Sequence, residues 1–141
     1  MTLYLDTSLL VTALTSEPET VRMQGWLAQH EADGFAISGW VITEFSSALS
    51  VKMRTQQITR DHRAAALATF ARLCAESFAI LPVSDVEFRA AALFADQHAV
   101  GVRAGDALHL AICAAHSITL CTLDRRLSEG GKAFGVETRL V

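Results

Sequence analysis

The chain has 141 residues, of which 51% are hydrophobic and 19% are charged. This length and composition favour one folded domain, residues 1–141, with a sizeable core, and they exclude an intrinsically disordered chain. The N-terminal sequence MTLYLDT lacks the basic region of a signal peptide. No apolar run approaches the roughly 20 residues that span a bilayer, so we expect no membrane segment.

The net charge of −3 is unusual for a protein that binds nucleic acid. Four acidic residues discussed below are candidate metal ligands. Setting those four aside from the 15 acidic residues leaves 11, against 12 basic residues. The charge therefore does not exclude a nucleic-acid substrate.

Three cysteines, Cys74, Cys113 and Cys121, lie in apolar runs and show no CxxC spacing. An odd number of such cysteines is typical of reduced thiols in the core of an intracellular protein. We therefore expect a cytoplasmic protein without disulfides.

Apolar periodicity, helix-capping residues and turn residues predict strands that alternate with helices. In chain order the predicted elements are strand Leu3–Leu5, helix Ser8–Leu14, a helix from Pro18 to about His30, strand Phe35–Ser38, helix Trp40–Arg54, a helix from Thr59 to about Glu76, strand Ala79–Val83, a helix from Ser84 to about His98, helix Ala104–His116, strand Ile118–Leu123, helical stretch Arg125–Phe134 and strand Val136–Leu140. The strands are short and apolar without clean alternation, which is typical of a parallel sheet covered on both faces.

Four acidic residues lie at the edges of apolar segments, where an ionised carboxylate is costly unless it is paired or binds a metal. Asp6 and Asp124 each follow a predicted strand, so they lie at the same edge of a parallel sheet. Glu44 borders the apolar stripe of one helix, and Asp106 begins a helix that is apolar almost all round. Four converging carboxylates favour a hard divalent cation, Mg²⁺ or Mn²⁺.

Each acid has an alternative interpretation when it is taken alone. Asp6 and Asp124 are acceptable helix N-caps, and Glu44 is an acceptable boundary residue. His109 shares the face of Asp106 and is more typical of a packed, hydrogen-bonded core histidine than of a ligand in an oxygen site. Four acids in this arrangement are much harder to explain by capping.

Four segments, in order along the chain, resemble the PIN-domain family, and in particular its VapC-type toxins of prokaryotic toxin–antitoxin modules. They are LDTSLLV, TEFSSAL, AGDALHLAICAA and TLDRRL. The most specific are DALHLA and the T-x-D that places Asp124 eighteen residues after Asp106. Leu127 is a departure, because many relatives have Phe there, and it concerns packing rather than chemistry.

The resemblance implies a three-layer α/β/α fold with a central parallel sheet, and an endoribonuclease that depends on Mg²⁺ or Mn²⁺. The metal-site residues it implies are Asp6, Glu44, Asp106 and Asp124, with supporting hydroxyl groups on Ser8 and Thr122. It also implies a partner antitoxin whose C-terminal segment covers the acidic site.

From the chemistry, we expect Asp6 and Asp106 to bind the metal directly. Glu44 and Asp124 would act through water or orient the attacking water. Arg103, Arg125 and Arg126 flank the acids and are candidates for contacts with RNA phosphates. The alternative is that they are ordinary surface arginines.

One alternative to the toxin is a PIN nuclease that is not a toxin, and two further functional classes fit the sequence less well. A receiver-type signalling domain also gathers acids around Mg²⁺, but it needs an acidic pair after the first strand, and Asp6 stands alone. It also needs a lysine near the end of a late strand, whereas Lys132 lies in a Gly-rich stretch. A non-catalytic PIN-like module that binds RNA or protein usually lacks some of the acids, and all four are present here.

Large apolar side chains on two predicted helices favour a two-fold homodimer, because exposed apolar patches mark interfaces. These residues are Met23, Trp26, Leu27, Trp40 and Met53. The alternative is that they fill the core of the monomer.

Overall fold

The structure, a computed structural model, describes residues Met1–Val141 and contains five strands and seven α-helices. The strands are β1 (Leu3–Leu5), β2 (Phe35–Ser38), β3 (Phe78–Leu81), β4 (Thr119–Thr122) and β5 (Thr138–Leu140). The helices are α1 (Thr7–Leu14), α2 (Thr20–Gln29), α3 (Gly39–Arg54), α4 (Arg60–Glu76), α5 (Asp85–Asp96), α6 (Ala104–His116) and α7 (Arg125–Ala133). A single 3₁₀ turn, Glu31–Asp33, follows α2.

All strand pairs are parallel, and the strand order is β3-β2-β1-β4-β5. The order reverses after β3, because the chain returns across the sheet to place β4 on the other side of β1. Crossovers between parallel strands are right-handed in nearly all proteins, which assigns α1–α4 to one face and α5–α7 to the other. The helix contacts agree, since α1 packs on α2, α3 and α4, and α5 packs on α6. The predicted three-layer α/β/α fold is confirmed.

The core forms where β1 and α6 are enclosed by the remaining elements. Every residue of β1 is inaccessible to solvent, and residues 107–113 of α6 are continuously buried. The sequence predicted this burial of α6, because its apolar residues occupy all sides of the helix. Stacked rings join other elements: Phe45 packs on Phe70 between α3 and α4, and Phe94 packs on Phe134 beside α7.

Two of the predicted helix caps are present with their hydrogen bonds. The Thr59 side chain accepts a hydrogen bond from the His62 backbone N–H at the start of α4. Ser84 and Glu87 form a reciprocal capping box at the start of α5. These local signals explain why both helices begin where the sequence indicated.

Several predicted boundaries differ from the structure by a few residues. The helix predicted from Pro18 begins at Thr20, and the helix predicted to reach His98 ends at Asp96. The last strand begins at Thr138 rather than Val136, and β3 begins one residue earlier than predicted. Frayed helix ends and weak edge pairing account for differences of this size.

The apolar residues named for a dimer interface are mostly packed within the monomer. Met23 is fully buried, and Trp26, Leu27, Trp40 and Met53 are half-buried. The prominent exposed apolar side chains of β3 and α5 are Ile80, Val86, Phe88 and Leu93, of which Val86 and Leu93 are 66% exposed. These four residues make β3 and α5 a candidate apolar contact surface, and Val21 on α2 is 81% exposed.

All three cysteines are free, with Cys113 and Cys121 buried and Cys74 half-buried. Burial raises the pKa of each of these thiols above its usual value. None of the helices combines the length and apolar character required to traverse a membrane.

Two glycines in helices provide a matched test of the packing. A Cβ added at Gly131 would lie 2.2 Å from Thr138 Cγ2 and 3.1 Å from Leu110 Cδ2, whereas a Cβ at Gly25 would meet nothing within 4 Å. We expect Gly131→Ala to destabilise the protein by about 1–3 kcal/mol through overpacking. Gly25→Ala should stabilise it by about 0.5–1 kcal/mol, because alanine restricts the unfolded chain and favours the helix. Urea denaturation of both variants measures these changes, and equal effects would contradict the packing described here.

Candidate metal centre at the carboxyl edge of the sheet

The candidate site lies where the strand order reverses, between β1 and β4. Leu5 pairs with Cys121 at the ends of these two strands, and the Asp6 backbone N–H donates to the Cys121 carbonyl at 3.0 Å. Asp6 follows β1, and Asp124 lies two residues beyond the end of β4. In open parallel sheets ligands bind at this reversal point, outside the carboxyl ends of the strands.

Asp6 is nearly inaccessible, with 5% of its surface exposed. One carboxylate oxygen, Oδ2, accepts hydrogen bonds from Ser8 Oγ at 2.6 Å and from Thr122 Oγ1 at 2.8 Å. Asp6 precedes α1, but its side chain makes no capping hydrogen bond to that helix. The capping alternative for Asp6 is therefore wrong, and both hydroxyl groups named from the sequence hold its carboxylate in place.

Glu44 is held by contacts from α1 and α6. Its Oε1 atom accepts a hydrogen bond from Thr7 Oγ1 at 2.8 Å and lies 2.5 Å from His109 Nε2. The other ring nitrogen of His109, Nδ1, is 2.9 Å from the Tyr4 hydroxyl, which in turn is 2.8 Å from Ser38 Oγ. A buried polar chain thus runs from the end of β2 through β1 and α6 to Glu44.

The contact between His109 and Glu44 has the character of an ion pair. Burial by itself would raise the pKa of Glu44, but the hydrogen bond and charge of His109, together with Thr7, outweigh it and lower that pKa. Burial would likewise lower the pKa of His109, but the Glu44 hydrogen bond and the nearby acids raise it. His109 is the packed, hydrogen-bonded histidine expected from the sequence, and its Nε2 also lies 3.5 Å from Asp6 Oδ1.

Asp106 is the acid whose negative charge is least offset by other groups of the protein. It lies in the first turn of α6, it is half-buried, and its carboxylate has no hydrogen-bond or ion-pair partner within the protein. Burial, reinforced by the charges of Asp6 and Asp124, raises the pKa of Asp106 to about 6. A carboxylate in this position gains strongly from a cation.

Asp124 caps the N-terminus of α7, which is the alternative role that the sequence indicated for it. Its Oδ1 atom accepts backbone hydrogen bonds from Arg126 at 2.8 Å and from Leu127 at 3.4 Å at the start of α7. Its own N–H donates to Thr122 Oγ1 at 3.0 Å. Oδ2 accepts no hydrogen bond from the protein and stays available to a ligand.

Three side chains converge most closely: ligand atoms of Asp6, Glu44 and His109 lie within 4.8 Å of one another. Asp106 and Asp124 lie outside this closest group. Asp106 nevertheless feels the charges of all three members of the group and that of Asp124. They line an adjoining cavity of about 370 Å³ together with Arg103 and Arg126. Arg125 does not line that cavity.

The donor set fits a hard divalent cation. It offers carboxylate oxygens from several elements, one carboxylate without a partner, and hydroxyl groups that orient another. Oxygen-rich sites of this kind suit Mg²⁺ and Mn²⁺. His109 is already engaged at both ring nitrogens, which favours an orienting role over direct binding.

The sequence interpretation missed Tyr4 and Thr7, which hold His109 and Glu44. A signal for Tyr4 was present, because residues two apart on a strand point to the same face and Tyr4 therefore shares a face with Asp6. Thr7 had no comparable signal, since its partner lies 37 positions away in the sequence.

A family model described as the PIN domain matches residues 3–133 of the chain. The chain belongs to the PIN-domain family. The resemblance inferred from the four sequence segments is thereby confirmed. No curated protein matched the sequence.

Solved structures similar to this PIN domain share its fold at low sequence identity. VapBC2 from Rickettsia felis, in a structure with a DNA fragment from its promoter, is 18% identical with a TM-score of 0.71, and the match covers 99% of this chain and 98% of that one. FitAcB from Neisseria gonorrhoeae is 18% identical with a TM-score of 0.68, covering 98% and 96%. PAE2754 from Pyrobaculum aerophilum is 20% identical with a TM-score of 0.64, covering 98% and 92%. These matches establish the fold of the whole chain.

Replacing Asp106 by Asn should stabilise the metal-free PIN domain at neutral pH. The raised pKa of Asp106 means that the folded protein holds this proton more tightly than the unfolded chain, so stability falls as the pH rises from about 4 to about 6. Asp106→Asn removes that loss. Solvent screening of a half-exposed group reduces the expected gain to on the order of 1 kcal/mol at pH 7.5.

The measurement is urea denaturation in EDTA at pH 4 and pH 7.5. The advantage of the variant should be present at pH 7.5 and small at pH 4. A variant less stable than the native protein at pH 7.5 would show that the ionised Asp106 carboxylate does not destabilise the folded protein.

Proposed function

We propose that this PIN domain is an endoribonuclease that depends on Mg²⁺ or Mn²⁺, and that it is the toxin of a toxin–antitoxin module. The observation that carries the proposal is the convergence of four acids at one sheet edge, with Asp106 lacking any partner in the protein. Family membership agrees, because PIN domains are generally nucleases.

Asp6 and Asp106 are the proposed direct ligands of the cation, with Glu44 and Asp124 completing its surroundings through water. A divalent cation held there would supply an activated water and would neutralise charge on the scissile phosphate. Ser8 and Thr122 keep the Asp6 carboxylate in one orientation, so it binds with little loss of side-chain freedom. His109 and Thr7 do the same for Glu44, which acts to orient the attacking water.

Arg103 and Arg126 are the proposed contacts to RNA phosphates. Both line the cavity that holds Asp106 and Asp124, and neither forms an ion pair with a protein carboxylate. Free guanidinium groups bind phosphate oxygens in a bidentate manner. Arg125 does not line the cavity, and it remains a candidate for a phosphate contact outside it.

The toxin assignment rests on the sequence segments of the VapC type and on the similar structures of VapBC2 and FitAcB. We propose a protein antitoxin whose C-terminal segment covers the acidic site, with a basic side chain that offsets the acidic charge. We also propose a homodimer in the cytoplasm. The exposed apolar residues of β3 and α5 support an interface between copies, and the three free cysteines suit a reducing compartment.

Cleavage of single-stranded RNA should require Mg²⁺ or Mn²⁺ and stop in EDTA. Asp6→Asn should reduce the rate by at least about 10²-fold, because it removes a charge from the cation site while it preserves the size of the side chain. Ser46→Ala is a matched control on the exposed side of α3 and should change the rate less than twofold. The measurement is gel analysis of a labelled RNA, and full activity in EDTA would rule out the metal mechanism.

The chemistry of the cleaved ends gives an independent test. Attack by water on phosphorus should leave a 5′-phosphate and a 3′-hydroxyl. A ribonuclease that uses histidine as its base activates the ribose 2′-hydroxyl and leaves a cyclic phosphate. Mass spectrometry of the products distinguishes the two, and cyclic-phosphate ends would transfer the catalytic role to His109 or His116.

A further inference from the structure

The cavity beside the acid cluster contains a third carboxylate to which the catalytic proposal gives no role. Glu129 lies on α7, one helical turn after Arg126, and lines the cavity together with Asp106 and Asp124. The cavity volume of about 370 Å³ falls at the lower end of the range of small-molecule pockets, roughly 300–1,000 Å³. This volume suits a single planar base rather than a larger ligand.

Glu129 and the two arginines of this cavity form no ion pairs with one another, although these opposite charges line the same walls. Glu129 makes no side-chain hydrogen bond or ion pair, and neither Arg103 nor Arg126 pairs with a carboxylate. Side chains of opposite charge that surround a cavity without closing on each other leave donors and acceptors available to a ligand. A ligand that presents both N–H donors and an anionic group satisfies both kinds of side chain.

The cavity walls are built by close backbone packing. A Cβ at Gly130 would lie only 2.6 Å from Val102 Cγ1, so glycine is needed for α7 to approach the segment before α6. Gly101 has φ of +76°, a conformation that turns this segment and that other residues rarely adopt. Val100, which is 39% exposed, and Val102 give the cavity an apolar side against which the face of a base can pack.

We propose that this cavity binds a guanine base of the RNA substrate, next to the scissile phosphate, and that Glu129 recognises it. The inference rests on the proposed ribonuclease function and adds a sequence preference to it. Arg103 or Arg126 would hold the adjoining phosphate, and the Glu129 carboxylate would accept hydrogen bonds from guanine N1–H and N2–H. Proteins read single-stranded RNA by such contacts to the Watson–Crick edges of unstacked bases.

Guanine is favoured because of the hydrogen-bonding character of a carboxylate. An ionised carboxylate only accepts hydrogen bonds, through two adjacent oxygens. Guanine is the one standard RNA base whose Watson–Crick edge presents two adjacent N–H donors. Cytosine and adenine each place a ring-nitrogen acceptor beside their amino group, and uracil places its single N–H between two carbonyl oxygens. Each of these would set an acceptor against the carboxylate.

The test compares short single-stranded RNAs of seven nucleotides that differ only at the central base, in an otherwise uridine context. The central base is guanine, inosine, adenine, cytosine or uracil. Inosine keeps N1–H and lacks the N2 amino group, so the RNA with central inosine should be cleaved about tenfold more slowly than the RNA with central guanine. Adenine, cytosine and uracil should be cleaved more slowly still, since each sets an acceptor against the carboxylate.

Glu129→Gln should reduce the ratio of cleavage rates of the guanine and inosine RNAs to within about twofold, because the amide replaces one of the two adjacent acceptor oxygens with an NH₂ donor that faces guanine N1–H or N2–H. Glu137→Gln is the matched control, an exposed carboxylate that precedes β5 at the opposite edge of the sheet, and it should retain the native ratio. Circular dichroism checks that the variant is folded. We expect the fold to be unaffected, because the Glu129 side chain is exposed and forms no hydrogen bond or ion pair within the protein. Equal cleavage of all five RNAs, or an unchanged guanine preference in Glu129→Gln, would overturn the assignment.

Binding of the same fluorescently labelled RNAs to the Asp6→Asn variant, measured by anisotropy, separates the two proposals. Cleavage without base preference would leave the ribonuclease proposal intact and refute the role of Glu129. A guanine preference in binding that Glu129→Gln removes, with no cleavage of any RNA in Mg²⁺ or Mn²⁺, would retain the base site and refute the ribonuclease proposal. Absence of both binding preference and cleavage would refute both.

Discussion

The structure depends on one electrostatic constraint, the confinement of carboxylates at the end of the central strand. Asp6 is almost fully buried there, and burial of Asp106, reinforced by the charges of Asp6 and Asp124, raises the pKa of Asp106 to about 6. Like charges in a partly desolvated site are unfavourable unless a cation offsets them. The fold nevertheless brings them together, because β1 and β4 are adjacent and α6 begins at the same edge. A binding site explains this arrangement better than a contribution to stability does.

The protein offsets part of this charge by itself. His109 pairs with Glu44 through Nε2 and lies close to Asp6, and the Tyr4 hydroxyl hydrogen-bonds to the other ring nitrogen, Nδ1. This network fixes two of the acids, whereas Asp106 has no protein partner. The same edge therefore holds one well-oriented pair of carboxylates and one that is free to respond to a cation, and such preorganisation is what a catalytic metal site requires.

The layered fold and the location of the acids could be predicted because they depend on local patterns. Asp6 follows a strand, Asp106 begins an apolar helix, and the caps Thr59 and Ser84 start helices that the structure confirms. The contacts that orient the acids could not be predicted, because Tyr4 and His109 are 105 residues apart and meet only through the strand order. Likewise, Arg125 and Arg126 are equivalent in the sequence, and only the rotation of α7 assigns one of them to the cavity.

Direct binding of Mn²⁺, followed by isothermal titration calorimetry at neutral pH, tests the central claim without reference to catalysis. The account predicts saturable binding to the native protein that is lost in both Asp6→Asn and Asp106→Asn, whose side chains cannot supply the same negative charge. Binding of equal affinity to the native protein and to both variants, or no binding to the native protein, would contradict the interpretation of this acidic edge as a metal site.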